Sequence, residues 1–340
     1  MITSKSMWSI GRINMDFDEF KEWTAKEINN YLPDEYRNSD ITITEINKLG
    51  NRYTGLVVRR SGDAIAPAIN LDLFFEKYQN GSEPQRLLNE MRDIVVNADD
   101  KYDYGFISNY EKVKDRLFIR LSNAERNKDI LQKVPHVQID DLAITYHVVF
   151  KHLQDGLASA IITNDLMKEF NISAEQLHKD SIENGSKLFP ERVESLQNII
   201  FSEDGRGVIG EPPYVITNTS ALNGAAVMFY PDVLQNMADS VGSDLFVIPS
   251  SIHEVICFPD DGTNDKDHLQ QTLRHVNCVM VSEDEQLSDN IYHYDRSAHI
   301  FESYDSFEER FARDLEQISS EQFLIAAEDP GLTHSGRRFH

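Results

Sequence analysis

The residues whose types and spacing come nearest to chemistry are Ser250, Ser251, His253 and Glu254, in the run Pro249-Ser250-Ser251-Ile252-His253-Glu254. Hydroxyl, imidazole and carboxylate are the parts of a hydrolase, in which a serine attacks, a histidine takes its proton and an acid orients the histidine. The order of residues works against that assembly. Neither serine lies in a G-x-S-x-G elbow. The apolar pattern of Ile252–Phe258 predicts a strand, and strand alternation sends His253 to one face and Glu254 to the other. The expectation is therefore a polar strand connection, with the hydroxyls bonded to backbone and His253 at a sheet edge. A loop around Asn223-Gly224 supplies Asn218 and Asn223 as binding candidates, and it meets the serine-histidine segment if the two hairpins are neighbours.

Other motifs carry less. Gly205-Arg206-Gly207-Val208-Ile209-Gly210 matches G-x-G-x-x-G, but Glu211-Pro212-Pro213 follows, and a helix whose N-terminal amides would meet a pyrophosphate cannot run on from there. No cofactor is expected. The histidines are scattered, and His268 and His275 are two helical turns apart. Asp260–Asp265 lacks the glycine after three alternating ligands and the closing glutamate of a calcium loop, so no metal is expected. Cys257, in an apolar strand, and Cys278, in a helical pattern, both read as structural residues without a disulfide. Tyr102, Tyr104, Phe106 and Tyr110 crowd a polar stretch and read as side chains that pack this linker onto its neighbours.

The balance of 33 Lys and Arg against 57 Asp and Glu gives a net charge of −24 over 340 residues. No basic cluster accompanies it, so direct nucleic-acid binding is not expected. An acidic decoy that mimics nucleic acid is the least favoured of three readings, because the acids are scattered rather than in blocks. No stretch reaches the roughly 18 apolar residues of a membrane span. Two unpaired cysteines fit a reducing compartment, and the expectation is a cytoplasmic protein. Residues 1–14 carry no secretory pattern and read as a disordered extension, with a clean helix start just after Met15.

The elements that must position these residues follow from periodicity. Residues 16–32 predict an amphipathic helix stopped by Pro33. Strands at Ile41–Ile46, Tyr53–Arg59 and Ile65–Leu71 follow, then helices at 72–79 and 83–97, which makes an N-terminal unit over 15–100. The stretch 98–112 reads as the boundary. Beyond it come a strand at Leu117–Leu121, a helix at 123–133 capped by Asn123, and a strand pair at Asp141–Phe150 and Ala158–Thr163. Ser173–Gln176 matches a capping box that opens a helix to Leu188, with Leu177, Ile182 and Ala174 as its buried stripe. Strands at Tyr214–Thr217 and Ala225–Phe229 flank the Asn223-Gly224 turn. A helix from Pro231 to Gly242 and strands at Leu245–Ile248 and Ile252–Phe258 complete a β-β-α-β-β order. A helix at about 265–277 is expected on the same sheet face. A hairpin at Ile291–Tyr294 and His299–Phe301 ends a C-terminal unit over 113–302, and 303–340 holds a last helix and a tail. The fold class is α+β, two-layer, with antiparallel sheets covered by helices in two units.

Several of these segments, in order, resemble one protein family. They are Phe17–Pro33, Tyr78–Gly81, Asn127–Pro135, Ile162–Asn164, Leu222–Ala226, Pro249–Val255 and Leu287–Tyr294. The resemblance is to uncharacterised bacterial proteins with a domain of unknown function, associated with gut anaerobes, and it spans most of 15–302. It implies a cytoplasmic bacterial protein and carries over no functional residue. The leading functional expectation is a non-enzymatic interaction or regulatory protein, with a protein partner or as a homo-oligomer. The alternative is a hydrolase centred on Ser250 and His253.

Overall fold

The computed structural model describes residues 15–49, 51–60, 66–99, 106–107, 109–153, 156–196 and 212–328. The chain divides into two compact units, Met1–Val113 and Lys114–His340.

In the first unit, α1 (Phe17–Glu27) begins with a complete capping box. The Asp16 carboxylate accepts from the Glu19 N–H, and the Glu19 carboxylate accepts from the Asp16 N–H. A 3-10 turn at Ile28–Asn30 finishes the expected helix. Strands β1 (Asp40–Lys48), β2 (Asn51–Arg59) and β3 (Ala68–Asn70) form an antiparallel sheet in that order. The third strand is shorter than periodicity predicts. Asn70 accepts from the Asp72 and Leu73 N–H groups and so starts α2 (Leu71–Gln79) where the strand pattern would have continued. With α3 (Pro84–Asp99), these elements enclose a core that includes Phe20, Leu56, Ile69, Leu71, Leu87 and Met91. The short α4 (Tyr110–Val113) closes the unit.

The second unit holds two antiparallel sheets. The four-stranded sheet is built on the long β6 (Leu142–Leu153), which pairs with β4 (Leu117–Asn123), β5 (His136–Ile139) and β7 (Gly156–Ile161). The six-stranded sheet runs β13 (Ile300–Ser303), β12 (Tyr292–Asp295), β10 (Asp244–Ile248), β11 (Val255–Asp260), β9 (Tyr214–Asn218) and β8 (Glu191–Ser195). The α+β class with helix-covered antiparallel sheets is thus the observed one. β5, β8 and the helix α6 (Asn164–Phe170) are additional to the expected elements.

Five local expectations are corrected. The helix expected at 123–133 shrinks to α5 (Lys128–Leu131), and Asn123 closes β4 instead. Its amide donates to the Leu287 carbonyl at 2.7 Å while its oxygen accepts from Arg126 N–H. In α7 (Ala174–Leu188), Ser173 caps the Gln176 N–H, but the Gln176 side chain turns to Asp180, so the capping box is only half made. The buried stripe of α7 is Leu177, Ser181 and Gly185, not the apolar trio, because Phe118 and Tyr230 lie against Gly185. Ala225–Phe229 is part of a 3-10 helix, Gly224–Phe229, not a strand. Residues Gly224 to Met228 are all buried, and a continuous apolar run looks the same in a buried strand as in a buried helix. Asn223 consequently takes a left-handed conformation at the start of that helix, not a place in a hairpin turn.

The fifth correction concerns the helices α8 (Val233–Val241) and α9 (Lys266–Met280), which lie on opposite faces of the six-stranded sheet. Leu269 and Leu273 of α9 pack with Phe246 and Ile248. Tyr294, directly across from Leu245, donates to Gln235 of α8. Residues 245 and 246 face opposite ways along β10, so the two helices do too. The last helix, α10 (Tyr304–Glu328), stacks Phe307 on the buried His293 at 3.7 Å and binds Asp295 and Glu302 through Arg310.

A candidate recognition cleft around His253

β9 and β11 are neighbours, so the segments that follow β9 and precede β11 meet at one sheet end. Thr217 donates its hydroxyl to the His253 carbonyl at 2.8 Å, and Ala225 N–H donates to the Ile252 carbonyl. Gly224 allows the approach. A Cβ there would stand 2.5 Å from the His253 oxygen and 2.7 Å from the Asn218 nitrogen, and against the Thr217 hydroxyl.

Residues 252–254 are not part of a strand, which overturns the alternation expected there. β11 begins only at Val255. Ile252 N–H donates to the Glu285 carbonyl at 2.9 Å, and His253 N–H donates to the Ser251 hydroxyl at 3.0 Å. These bonds take the backbone groups that a ladder would have used. The segment bends, and His253 and Glu254 come to line one cleft of about 310 Å³ instead of opposite sheet faces. Ser251 and Glu285 complete its polar wall, Ala221 also lines it, and Met280 and Val281 at the end of α9 form its apolar lip.

Of the residues singled out from sequence, Ser251, His253 and Glu254 reach the cleft; Ser250, Asn218 and Asn223 do not line it. Asn218 is buried. Its oxygen accepts from Ser220 N–H, Ser220 hydroxyl and Leu222 N–H, while its amide donates to the Leu222 carbonyl. It shapes the loop instead of facing a ligand. Asn223 contributes its backbone N–H, which donates to His253 Nδ1 at 3.3 Å. A backbone amide can only donate, so Nδ1 is the unprotonated nitrogen and the ring proton sits on Nε2. Nε2 faces the Glu285 carboxylate at 3.3 Å.

Both imidazole nitrogens are therefore committed, and the lone pair that a general base would use is held by the Asn223 amide. The Ser251 hydroxyl is bonded to His253 N–H and makes no contact with the ring nitrogens. Glu254 has its carboxyl held above the ordinary range by burial, with His253 opposing the rise and the charge of Glu285 adding to it. The cleft thus places two carboxylates beside an imidazole whose own bonding is complete.

Glu285 is the member that sequence reasoning missed. It lies 32 positions beyond His253 in the acidic run Glu283-Asp284-Glu285, where no periodicity separates it from its neighbours. Among the described residues, no group of three His, Cys, Asp or Glu is placed to hold a metal ion. In the 260–265 loop, Asp261 accepts from Thr263, and Asp265 caps α9 through the His268 N–H. The glycine motif at 205–210, Tyr102 and Tyr104 lie outside the described residues. Cys257 is buried in β11, whereas Cys278 is exposed on α9, which corrects its reading as a structural residue. No helix among the described residues is long and apolar enough to cross a membrane.

Residues 17–296 match a model described as a family of unknown function, DUF5688, and the chain belongs to that family. No curated protein and no solved structure matches the chain.

Proposed function

From membership of a family of unknown function and the geometry of its cleft, we propose that the protein is a non-enzymatic cytoplasmic interaction protein. Its cleft at His253 receives a cationic group, a lysine or arginine side chain of a protein partner. The observation that carries this reading is the double commitment of the His253 ring, to Asn223 and to Glu285, beside the carboxylate of Glu254. Such a ring is a fixed wall, and the two carboxylates attract a cation. Met280, 78% exposed at the lip, offers an apolar surface for the methylene stem of such a side chain.

The hydrolase alternative draws on the His253–Glu285 pair, which has the form of a base and its orienting acid. It needs a hydroxyl at Nδ1, where the Asn223 amide sits. The decoy reading needs a continuous acidic face; ion pairs such as Lys77–Glu90, Lys168–Asp165 and Lys266–Asp305 place bases among the acids instead.

The test is a binding titration with short lysine- and arginine-containing peptides against their acetyl-lysine and citrulline counterparts. Glu254→Gln and Glu285→Gln are each expected to weaken binding about tenfold, the loss of one charge-assisted hydrogen bond of ~1.4 kcal/mol. Equal affinity for charged and neutral peptides contradicts the proposal. So does ester hydrolysis that disappears in both Ser251→Ala and His253→Ala.

A further inference from the structure

The end of α9 carries an apolar surface that its own chain leaves uncovered. Val279 is 67% exposed and Met280 78%, the two highest values for a large hydrophobic side chain among the described residues. Met280 does not belong to the solvent face of the helix. It comes seven residues after Leu273 and eleven after Leu269, the spacing of one helical face. Leu269 and Leu273 are buried on that face against Phe246, Ile248 and Ile291. Val276, half-buried, and Asn277, buried, continue it. One turn further on, Met280 points the same way and meets the open cleft of Glu254 and Glu285 in place of a sheet. Val279 stands beside it, about 100° round the helix.

The field over this lip is negative. Glu254 and Glu285 line the cleft, and Glu283 and Asp284 adjoin Glu285 in the chain. α9 ends here with no basic residue in its last turn, so the negative end of its dipole is not offset from within the helix. The Gln286 amide, which is neutral, covers the carbonyls of Asn277 and Val281 at 2.6 and 3.0 Å. Arg126 reaches the same loop, but its guanidinium donates to the Glu283 carbonyl and the Gln286 side-chain oxygen and does not line the cleft. An apolar lip beside two acids repels a phosphate-bearing partner and suits a segment that is both cationic and apolar.

The Ala221 wall of the cleft is set before any partner arrives. Ala221 has a φ of 52°, in the left-handed region that an alanine side chain disfavours. Its N–H donates to the Asn218 carbonyl at 3.1 Å, and the Asn218 side chain holds Ser220 and Leu222 on either side. Such strain persists only where the surroundings over-determine it. A wall fixed in this way loses little freedom on binding.

Resting on the cationic reading of the cleft, we propose that its partner is an extended segment in which the lysine or arginine has a bulky apolar residue two positions away. Side chains at that spacing share one side of an extended chain, roughly 7 Å apart. The cation enters the cleft beside Glu254 and Glu285, and the apolar residue covers Met280 and the adjoining surface of Val279. The Met280 thioether is unbranched and adapts to leucine, methionine or phenylalanine alike. The acids impose the charge requirement, and the lip selects among basic segments.

The test uses the full chain and labelled synthetic peptides, read by fluorescence anisotropy. Gly-Ser-Arg-Ser-Leu-Gly is compared with Gly-Ser-Arg-Ser-Ser-Gly, and each with its citrulline counterpart. The leucine peptide is expected to bind about tenfold more tightly than the serine peptide, equivalent to ~1.4 kcal/mol for a partly covered apolar side chain. Met280→Ser is expected to abolish that preference and Val279→Ser to narrow it by about half. Glu285→Gln is expected to weaken both arginine peptides alike and to keep the preference. Both lip residues are exposed, and thermal unfolding checks that their variants keep the fold. If arginine outbinds citrulline but leucine adds nothing, or if Met280→Ser keeps the preference, this inference is overturned while the cationic reading stands. If citrulline matches arginine, or no peptide binds, both are overturned.

Discussion

Replacing Gly224 by alanine tests the junction on which the cleft depends. The added methyl would press on the Thr217 hydroxyl, stand 2.5 Å from the His253 carbonyl oxygen and stand 2.7 Å from the Asn218 nitrogen. Two of these are backbone atoms, which cannot swing aside as a flexible side chain can. Relief requires the 253 and 218 segments to separate. That weakens the bonds from Thr217 to the His253 carbonyl, from Ala225 to Ile252 and from Asn223 to the His253 ring. Overpacking costs about 1–3 kcal/mol, and each bond contributes about 1 kcal/mol. With partial relaxation, Gly224→Ala is expected to cost about 3–5 kcal/mol, a large part of the ~5–15 kcal/mol that holds a domain together. The control is Gly242→Ala, where φ is +77° and nothing lies within 4 Å of the new methyl; only backbone strain of about 1 kcal/mol applies there. Urea unfolding followed by far-ultraviolet circular dichroism measures both. A Gly224→Ala protein as stable as the Gly242→Ala protein would refute the close approach.

Asp141 accepts from the Ser288 and Tyr292 hydroxyls and from the Asn290 amide, so Asp141→Ala should cost about 3–5 kcal/mol by stranding buried donors; a loss below about 1 kcal/mol in chemical denaturation would show that these donors have other acceptors. Burial raises the folded-state pKa of Glu254 above its unfolded value, so the folded protein holds that proton more tightly and loses stability as pH rises through the shifted range. Glu254→Gln should therefore melt at a higher temperature than the wild type at pH ~7, and the gap should close towards pH ~4; a gap that is constant with pH would contradict the assigned cause. A thiol reagent should modify Cys278 in the native protein and Cys257, whose thiol burial raises to about 12, only after unfolding; two fast-reacting thiols in the native state would argue against a closed β11.

Much of the architecture is legible in the residues themselves. The capping box at Asp16–Glu19, the alternation of β1 and β2, and Gly242 after α8 are local signals with local causes, and each element formed where its signal lies. The misreadings share one origin. Ala225–Phe229 and Ile252–Glu254 have strand-like composition, but tertiary partners take their backbone groups: the packing around Gly224 in one case, and the Glu285 carbonyl and Ser251 hydroxyl in the other. The cleft inherits this limit. Ser251, His253 and Glu254 stand out by type, yet their convergence depends on a bend enforced by a segment some thirty residues onward. Glu285 becomes identifiable only once that segment folds back.

The role assigned to the cleft depends on where the ring proton of His253 resides. Nitrogen-15 magnetic resonance of histidine-labelled protein, with His253→Gln to assign the signal, reads this directly at alkaline pH. The expected result is a neutral ring protonated at Nε2, with Nδ1 shifted by the hydrogen bond it accepts from Asn223. A ring protonated at Nδ1 would mean that the Asn223 amide does not hold that nitrogen, and would contradict the fixed ring on which the recognition cleft rests.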